Sequence, residues 1–128
     1  MRLLLDTHTL LWLLEGNSQL SPLAMGLLVD PEHELLLSPA TYWELAIKVS
    51  LGKYKLADPI SEFIEEAVQL YGLTILPIEL SHAEAVIDLP FHHKDPFDRM
   101  LIAQAMVENA PIVSADKAFD AYSVDRRW

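Results

Sequence analysis

An α/β fold, with helices covering both faces of a central, mainly parallel sheet, is what this sequence predicts. Two patterns lead there. Short apolar runs with no in–out alternation mark strands buried on both faces. Between them lie longer segments with helical spacing, most opened by a capping residue or a proline and several closed by glycine. Their alternation gives three layers, α/β/α, in one domain spanning residues 1–128. In sheets of this kind, ligands bind outside the carboxyl ends of the strands. The functional edge is therefore located before any chemistry is considered.

Arg2 to Leu5 is the first strand, an apolar run that ends at an acid. Thr7 to Glu15 follows as a helix, with Leu10, Leu11, Leu13 and Leu14 near helical spacing and Gly16 as its stop. Ser21-Pro22 opens the next helix, a capping hydroxyl followed by a proline preset for the first turn. It runs to about Val29 and is closed by Asp30-Pro31. Glu34 to Leu37 is the second strand. Ser38-Pro39 repeats the start signal for a helix to about Leu51, with Gly52 as its stop. Asp58-Pro59 begins another helix, closed by Gly72, and Leu73 to Leu76 is a third strand. Ser81 and Glu84 have the spacing of a capping box for a short helix. Asp95-Pro96 starts a longer one, through about Glu108, and Pro111 to Ser114 is the fourth strand. A short helix from Lys117 to Ala121 and an extended piece at Ser123 and Val124 complete the order.

Composition narrows the function classes. Apolar residues at 52% stand at the upper end for a globular domain, which leaves room for a patch covered by a partner. The absence of cysteine excludes disulfides and thiolate metal sites. Met1 to Leu14 is apolar, but Asp6 and His8 interrupt it, and it lacks a basic start and a small-residue cleavage site. No run approaches the roughly 18 uninterrupted apolar residues that cross a bilayer. The expectation is a cytoplasmic protein with no membrane partner. A net charge of −10 opposes ordinary nucleic-acid binding, which relies on Lys and Arg at the phosphates. It does so less if some of the acids serve a cation that itself holds phosphate oxygens. For most of the Glu residues, solubility is explanation enough.

Four acids stand out by position. Asp6 directly follows the first strand, and Asp116 lies just past the fourth, behind Ser114. Asp98 is in the first turn of the helix capped by Asp95, and Glu44 is about two turns into the helix after the second strand. Each has an ordinary alternative. Asp6 can cap the first helix. Glu44 can pair with Lys48 across one turn for about 0.2–0.5 kcal/mol. Asp98 can interact with the helix dipole for about 0.3–1 kcal/mol, and Asp116 can be a turn residue. Convergence alters the balance, since two carboxylates about 4 Å apart repel by about 4 kcal/mol at an effective dielectric near 20. Such a cluster needs a cation or a proton. Oxygen donors without cysteine favour Mg²⁺ or Mn²⁺ over Zn²⁺. Those ions polarise phosphoryl oxygens and activate water, so the natural substrate is a phosphodiester.

Four blocks carry a resemblance to a known family: LLLDTHTLLWLL, SPATYWELAIKVSLGK, HHKDPFDRMLIAQA and PIVSADKAFDAY. In this order they resemble the PIN-domain family, specifically the VapC-type toxins of bacterial type II toxin–antitoxin systems, over nearly the whole chain. The resemblance implies a PIN-like three-layer α/β/α sandwich and a metal-dependent endoribonuclease that hydrolyses RNA with metal-activated water. It carries the acidic roles, both catalytic and metal-binding, to Asp6, Glu44, Asp98 and Asp116. Ser114 and Thr7 fall beside the site in supporting positions. Asp95 reads first as the helix N-cap, with orientation of Arg99 or a metal-bound water as the alternative.

The family further implies a cognate antitoxin, DNA contact only through that antitoxin, and a homodimer. The helices from Thr7 to Glu15 and from Pro39 to Leu51 are candidates for a groove that takes an amphipathic partner helix. Trp12, Tyr42 and Trp43 are its possible anchors, with core packing the alternative. Lys48, Lys53, Lys55, Lys94 and Arg99 are candidates for guiding RNA. His92 and His93 flank the site as loop or supporting residues, His8 either faces the cleft or is buried by the first helix, and His33 and His82 read as surface loop and helix-start residues. Two other function classes remain open. A phosphatase with a nucleophilic Asp usually has a second acid two residues on, where His8 stands. A receiver-like binding module needs paired acids after the first strand, and they are not present.

Overall fold

The computed structural model describes residues Met1–Trp128. Its strands are β1 (Arg2–Leu5), β2 (Glu34–Leu37), β3 (Thr74–Ile75), β4 (Ile112–Val113) and β5 (Arg126–Arg127). The helices are α1 (Thr7–Glu15), α2 (Pro22–Val29), α3 (Pro39–Ser50), α4 (Ile60–Tyr71), α5 (Leu80–Asp88) and α6 (Pro96–Glu108). A 3-10 turn occupies Lys117–Ala121. The sheet runs β3-β2-β1-β4-β5 with every neighbouring pair parallel. In the central strand, Leu4 faces Leu36 on one side and Ile112 on the other.

Side chains alternate along a strand, so the sheet feeds two cores. Leu3 and Leu5 join Leu35, Leu37 and Val113 beneath α1, α2 and α4. Leu4, Leu36 and Ile112 project the other way, onto Leu101, Ile102 and Ala105 of α6 and onto Phe119. This gives the three-layer α/β/α sandwich expected from the apolar runs, with a fully parallel sheet.

Local chemistry explains where the helices begin. Asp6, Ser21, Ser38 and Asp95 each accept a hydrogen bond from a first-turn backbone N–H, at Thr9, Ala24, Ala40 and Phe97 respectively. Such a cap contributes about 1 kcal/mol. Gly16 and Gly72 close α1 and α4 at φ of +63°, a conformation that costs glycine nothing.

β3 and β4 are each one residue shorter at both ends than the sequence suggests, and three further boundaries differ from expectation. The helix after β3 starts before Ser81: Glu79 is at the cap, and its N–H donates to His82 Nδ1 at 2.9 Å. His82 is no surface residue but 1% exposed, held through Nε2 to Glu108 Oε2 at 2.9 Å, and Glu108 also meets Arg2. A buried imidazole that closes the first turn outweighs the Ser81–Glu84 spacing. Similarly, Pro59 takes the cap position of α4 itself, with no side-chain cap. The last strand is Arg126–Arg127 and not Ser123–Val124. Its two arginines are neutralised by Asp120 and Asp125, which makes a charged pair acceptable at a sheet edge.

α1 is tied to the sheet by Thr9, whose hydroxyl donates to the Val113 carbonyl at 2.8 Å in the fully buried interior. Thr9→Val keeps the shape and removes the donor. The substitution should lower the unfolding free energy by about 1–2 kcal/mol. In urea titration this appears as a lower midpoint with an unchanged slope.

Candidate active site

The carboxyl ends of β1, β2 and β4 lie side by side, and the residues just past them face a common space. Asp6 leaves β1 and caps α1, accepting from the Thr9 N–H at 2.9 Å through Oδ1. Its other oxygen, Oδ2, accepts from the Ser114 hydroxyl at 2.5 Å. Ser114 Oγ in turn accepts from the Asp116 N–H at 3.0 Å. Asp116 caps the 3-10 turn through the Ala118 N–H at 2.9 Å. Ser114 and Asp6 are both buried, so this chain of bonds is fixed in place.

Glu44 is placed by α3. Its Oε1 accepts from the Thr7 hydroxyl at 2.6 Å, and its Oε2 pairs with Lys48 at 3.1 Å. The helical ion pair and the bond to the α1 start therefore coexist on one carboxylate. On the outer side of the same turn, Trp43 meets Phe97 edge-on at 5.2 Å. That contact seats α3 against the start of α6, where Asp98 lies.

Asp98 differs from the other three acids, because its carboxylate accepts no hydrogen bond. Burial first, and then the negative charges of Asp95, Glu44, Asp6 and Asp116, push its pKa from 3.8 up to about 7. Four acids thus act on one, Asp98. Asp95 caps α6 through the Phe97 and Asp98 N–H groups, at 2.9 and 3.0 Å. His93 approaches Asp98 with Nε2 at 3.7 Å. The Tyr122 hydroxyl accepts from the His93 N–H at 3.3 Å and lies 2.8 Å from Nδ1. If that hydroxyl donates to Nδ1, the imidazole proton sits on Nε2, towards Asp98. The Tyr122 support has no local sequence signal, since it crosses from the 3-10 turn to the loop before α6.

Other candidates lie elsewhere. Arg99 is buried, and its guanidinium is spent on the carbonyls of Pro90, Val86 and Leu89 and on the face of Phe91 at 4.1 Å. Tyr42 and Trp43 border an apolar groove of about 790 Å³ between α3 and α4, walled opposite by Ile60, Ile64 and Val68. Trp12 is absent from that groove and stacks instead near His8 and Trp128.

The donor set suits a divalent cation of the Mg²⁺ or Mn²⁺ type. No three His, Asp or Glu side chains are grouped closely enough to form a metal-binding set. These ions do not need one, because they keep several waters and take one or two carboxylates. The repulsion gathered at Asp98 is what a bound cation would relieve.

A family model described as the PIN domain matches residues 3–125. No curated protein sequence matches the chain. Solved structures do. A chain of the VapBC2 complex from Rickettsia felis, bound to a promoter DNA fragment, aligns with a TM-score of 0.75 at 17% identity, covering 99% of this chain and 98% of that one. A chain of VapBC-1 from nontypeable Haemophilus influenzae aligns at 0.67 and 18% identity, over 99% and 97%. A chain of VapBC-5 from Mycobacterium tuberculosis, a toxin–antitoxin system of the VapBC family, aligns at 0.61 and 17%, over 98% and 95%.

The raised Asp98 pKa has a definite sign. The folded, metal-free protein holds this proton more tightly than the unfolded chain, so Asp98 lowers stability as pH climbs from 3.8 through about 7. Asp98→Asn should therefore be more stable than the parent on the alkaline side of that window and equal to it below. Urea unfolding across pH without divalent ions checks this, and carboxyl NMR should find one Asp titrating near neutrality.

Proposed function

The chain belongs to the PIN-domain family, and from that premise we propose that it is a Mg²⁺- or Mn²⁺-dependent endoribonuclease, the toxin of a type II toxin–antitoxin pair. The observation that carries the reading is that Asp95, Glu44, Asp6 and Asp116 lie near enough for their charges to act on Asp98, against their mutual repulsion. Asp6, Asp98 and Asp116 would hold the ion, directly or through water, with Glu44 completing the pocket. When bound, the ion supplies charge for a phosphoryl oxygen and lowers the pKa of water.

The chain's own residues set the geometry. Ser114 and Thr9 leave Asp6 one orientation, with both oxygens directed by fixed donors. Thr7 and Lys48 do the same for Glu44, whose remaining acceptor capacity would orient an attacking water. Asp98, without a donor of its own, is the acid most in need of a cation. Asp95 keeps the α6 start in register, and its negative charge adds to the demand.

The partner side of the proposal rests on surfaces. The α3–α4 groove is apolar and bordered by Glu65, which suits an amphipathic antitoxin segment with basic flanks. DNA contact would then run through the antitoxin. Leu80, Ile87 and Phe91 are each more than three-quarters exposed on and after α5, an apolar face that suits a homodimer. No helix is long and apolar enough to cross a membrane.

Incubation of a total RNA pool with and without Mn²⁺, followed by mapping of the ends, tests the activity. Cleavage should require the ion, and Asp6→Asn and Asp98→Asn should each lose at least about 100-fold in rate while staying folded. Full activity in a folded Asp98→Asn variant would refute the assignment. Trp43→Ala should weaken the complex with the antitoxin encoded beside this chain by about 30-fold or more.

A further inference from the structure

Three aromatic rings run from the acid cluster along α1. His8 lies two residues past Asp6 and is exposed. Trp12 follows one turn later, with ring centroids 5.5 Å apart and planes at 38°. Trp128 continues the row at 5.7 Å and 56°. β5 delivers Trp128 to this position. The carbonyl of Arg127 accepts from the N–H of Ser114, at 3.1 Å, and Ser114 is the residue that holds Asp6. Both ends of the row are thus fastened by short stretches of backbone to the same acidic edge.

Core packing accounts for part of this. Trp12 and Trp128 lie against the cluster under α1. It does not account for His8, nor for the two indole N–H groups, which have no partner in the protein and are not shut off from solvent. Charge points the same way. The nearby arginines, Arg126 and Arg127, are already neutralised by Asp120 and Asp125, and Lys48 is paired with Glu44. Lys53, Lys55, Lys94 and Lys117 are free of ion pairs, but in a chain of net charge −10 contacts to phosphates alone give a weak grip on a single strand. Aromatic faces hold bases regardless of charge and of sequence.

We propose that His8, Trp12 and Trp128 form a stacking platform for an unpaired base next to the phosphate that enters the acid cluster. The platform rests on the ribonuclease reading of that cluster and adds its substrate class at this point: single-stranded RNA, read by its base faces. Paired bases present no free face, so a duplex passes over it.

The test uses the full chain carrying Trp43→Phe, so that indole emission reports only Trp12 and Trp128, and a short 2′-O-methylated oligouridine, read in stopped flow before any strand is cut. With Mn²⁺ present, binding should quench the emission, should depend only weakly on salt, and should be lost for the same sequence as a duplex. His8→Ala, at an exposed position that spares the fold, should weaken binding by about 5-fold or more, and Trp128→Ala by up to about 150-fold. A single abasic position in the strand should cost the parent a similar factor and the His8→Ala variant much less. In cleavage of the ribose form, the variants should raise KM and leave kcat nearly unchanged. Binding without quenching, or equal affinity for the abasic strand, overturns the platform while RNA cleavage leaves the ribonuclease reading standing. A parent that neither binds nor cleaves RNA overturns both.

Discussion

Asp6 is the residue on which the rest of the structure depends. One of its oxygens caps α1 and the other receives the Ser114 hydroxyl. Through that pair of bonds a single side chain joins the central strand, the first helix and the edge after β4. The same group would hold a cation, so the network that finishes the fold and the network that prepares the chemistry are not separable. Thr9 and Thr7 extend it, one to the Val113 carbonyl and the other to Glu44. Asp6, Thr7 and Thr9, three polar positions at the start of α1, thereby set the distance between the sheet edge and α3.

Opposed to this order is the repulsion it creates. Three of the acids are soothed by neutral donors or by Lys48, and Asp98 receives no hydrogen bond at all. The fold tolerates the cost because it is confined to one group, which can take a proton near neutrality instead of disrupting its neighbours. An acidic pocket of this kind exchanges a modest part of the stability of the metal-free protein for a site that a divalent ion finds favourable.

Much of this was legible in the sequence, for definite reasons. Leu3, Leu4 and Leu5 serve both faces of the sheet, so they form an unbroken apolar run, and the run identifies a parallel strand. Ser21-Pro22, Ser38-Pro39 and Asp95-Pro96 are local signals, and each begins a helix. Asp6, Asp98 and Asp116 could be placed at the functional edge because strand ends and helix starts are local too. What could not be read depends on contacts between distant segments. The burial of His82 requires Glu108, and the support of His93 requires Tyr122. The withdrawal of Arg99 onto three carbonyls of the α5–α6 connection has no counterpart in the sequence around it, where it stands one residue from Asp98.

The bond between Asp6 and Ser114 joins residues 108 positions apart, and β1 finds its register only when both β2 and β4 flank it. Parallel pairing at such separation forms late and slowly, because loop closure must precede any gain. On a ribosome the N-terminal acid, Glu44 and even Asp98 emerge well before the strand that orients Asp6. The nascent chain therefore lacks the assembled pocket until nearly all of it has been made. For the ribonuclease proposed above, that delay would be a safeguard in time: the growing polypeptide has no organised site with which to attack the message that encodes it.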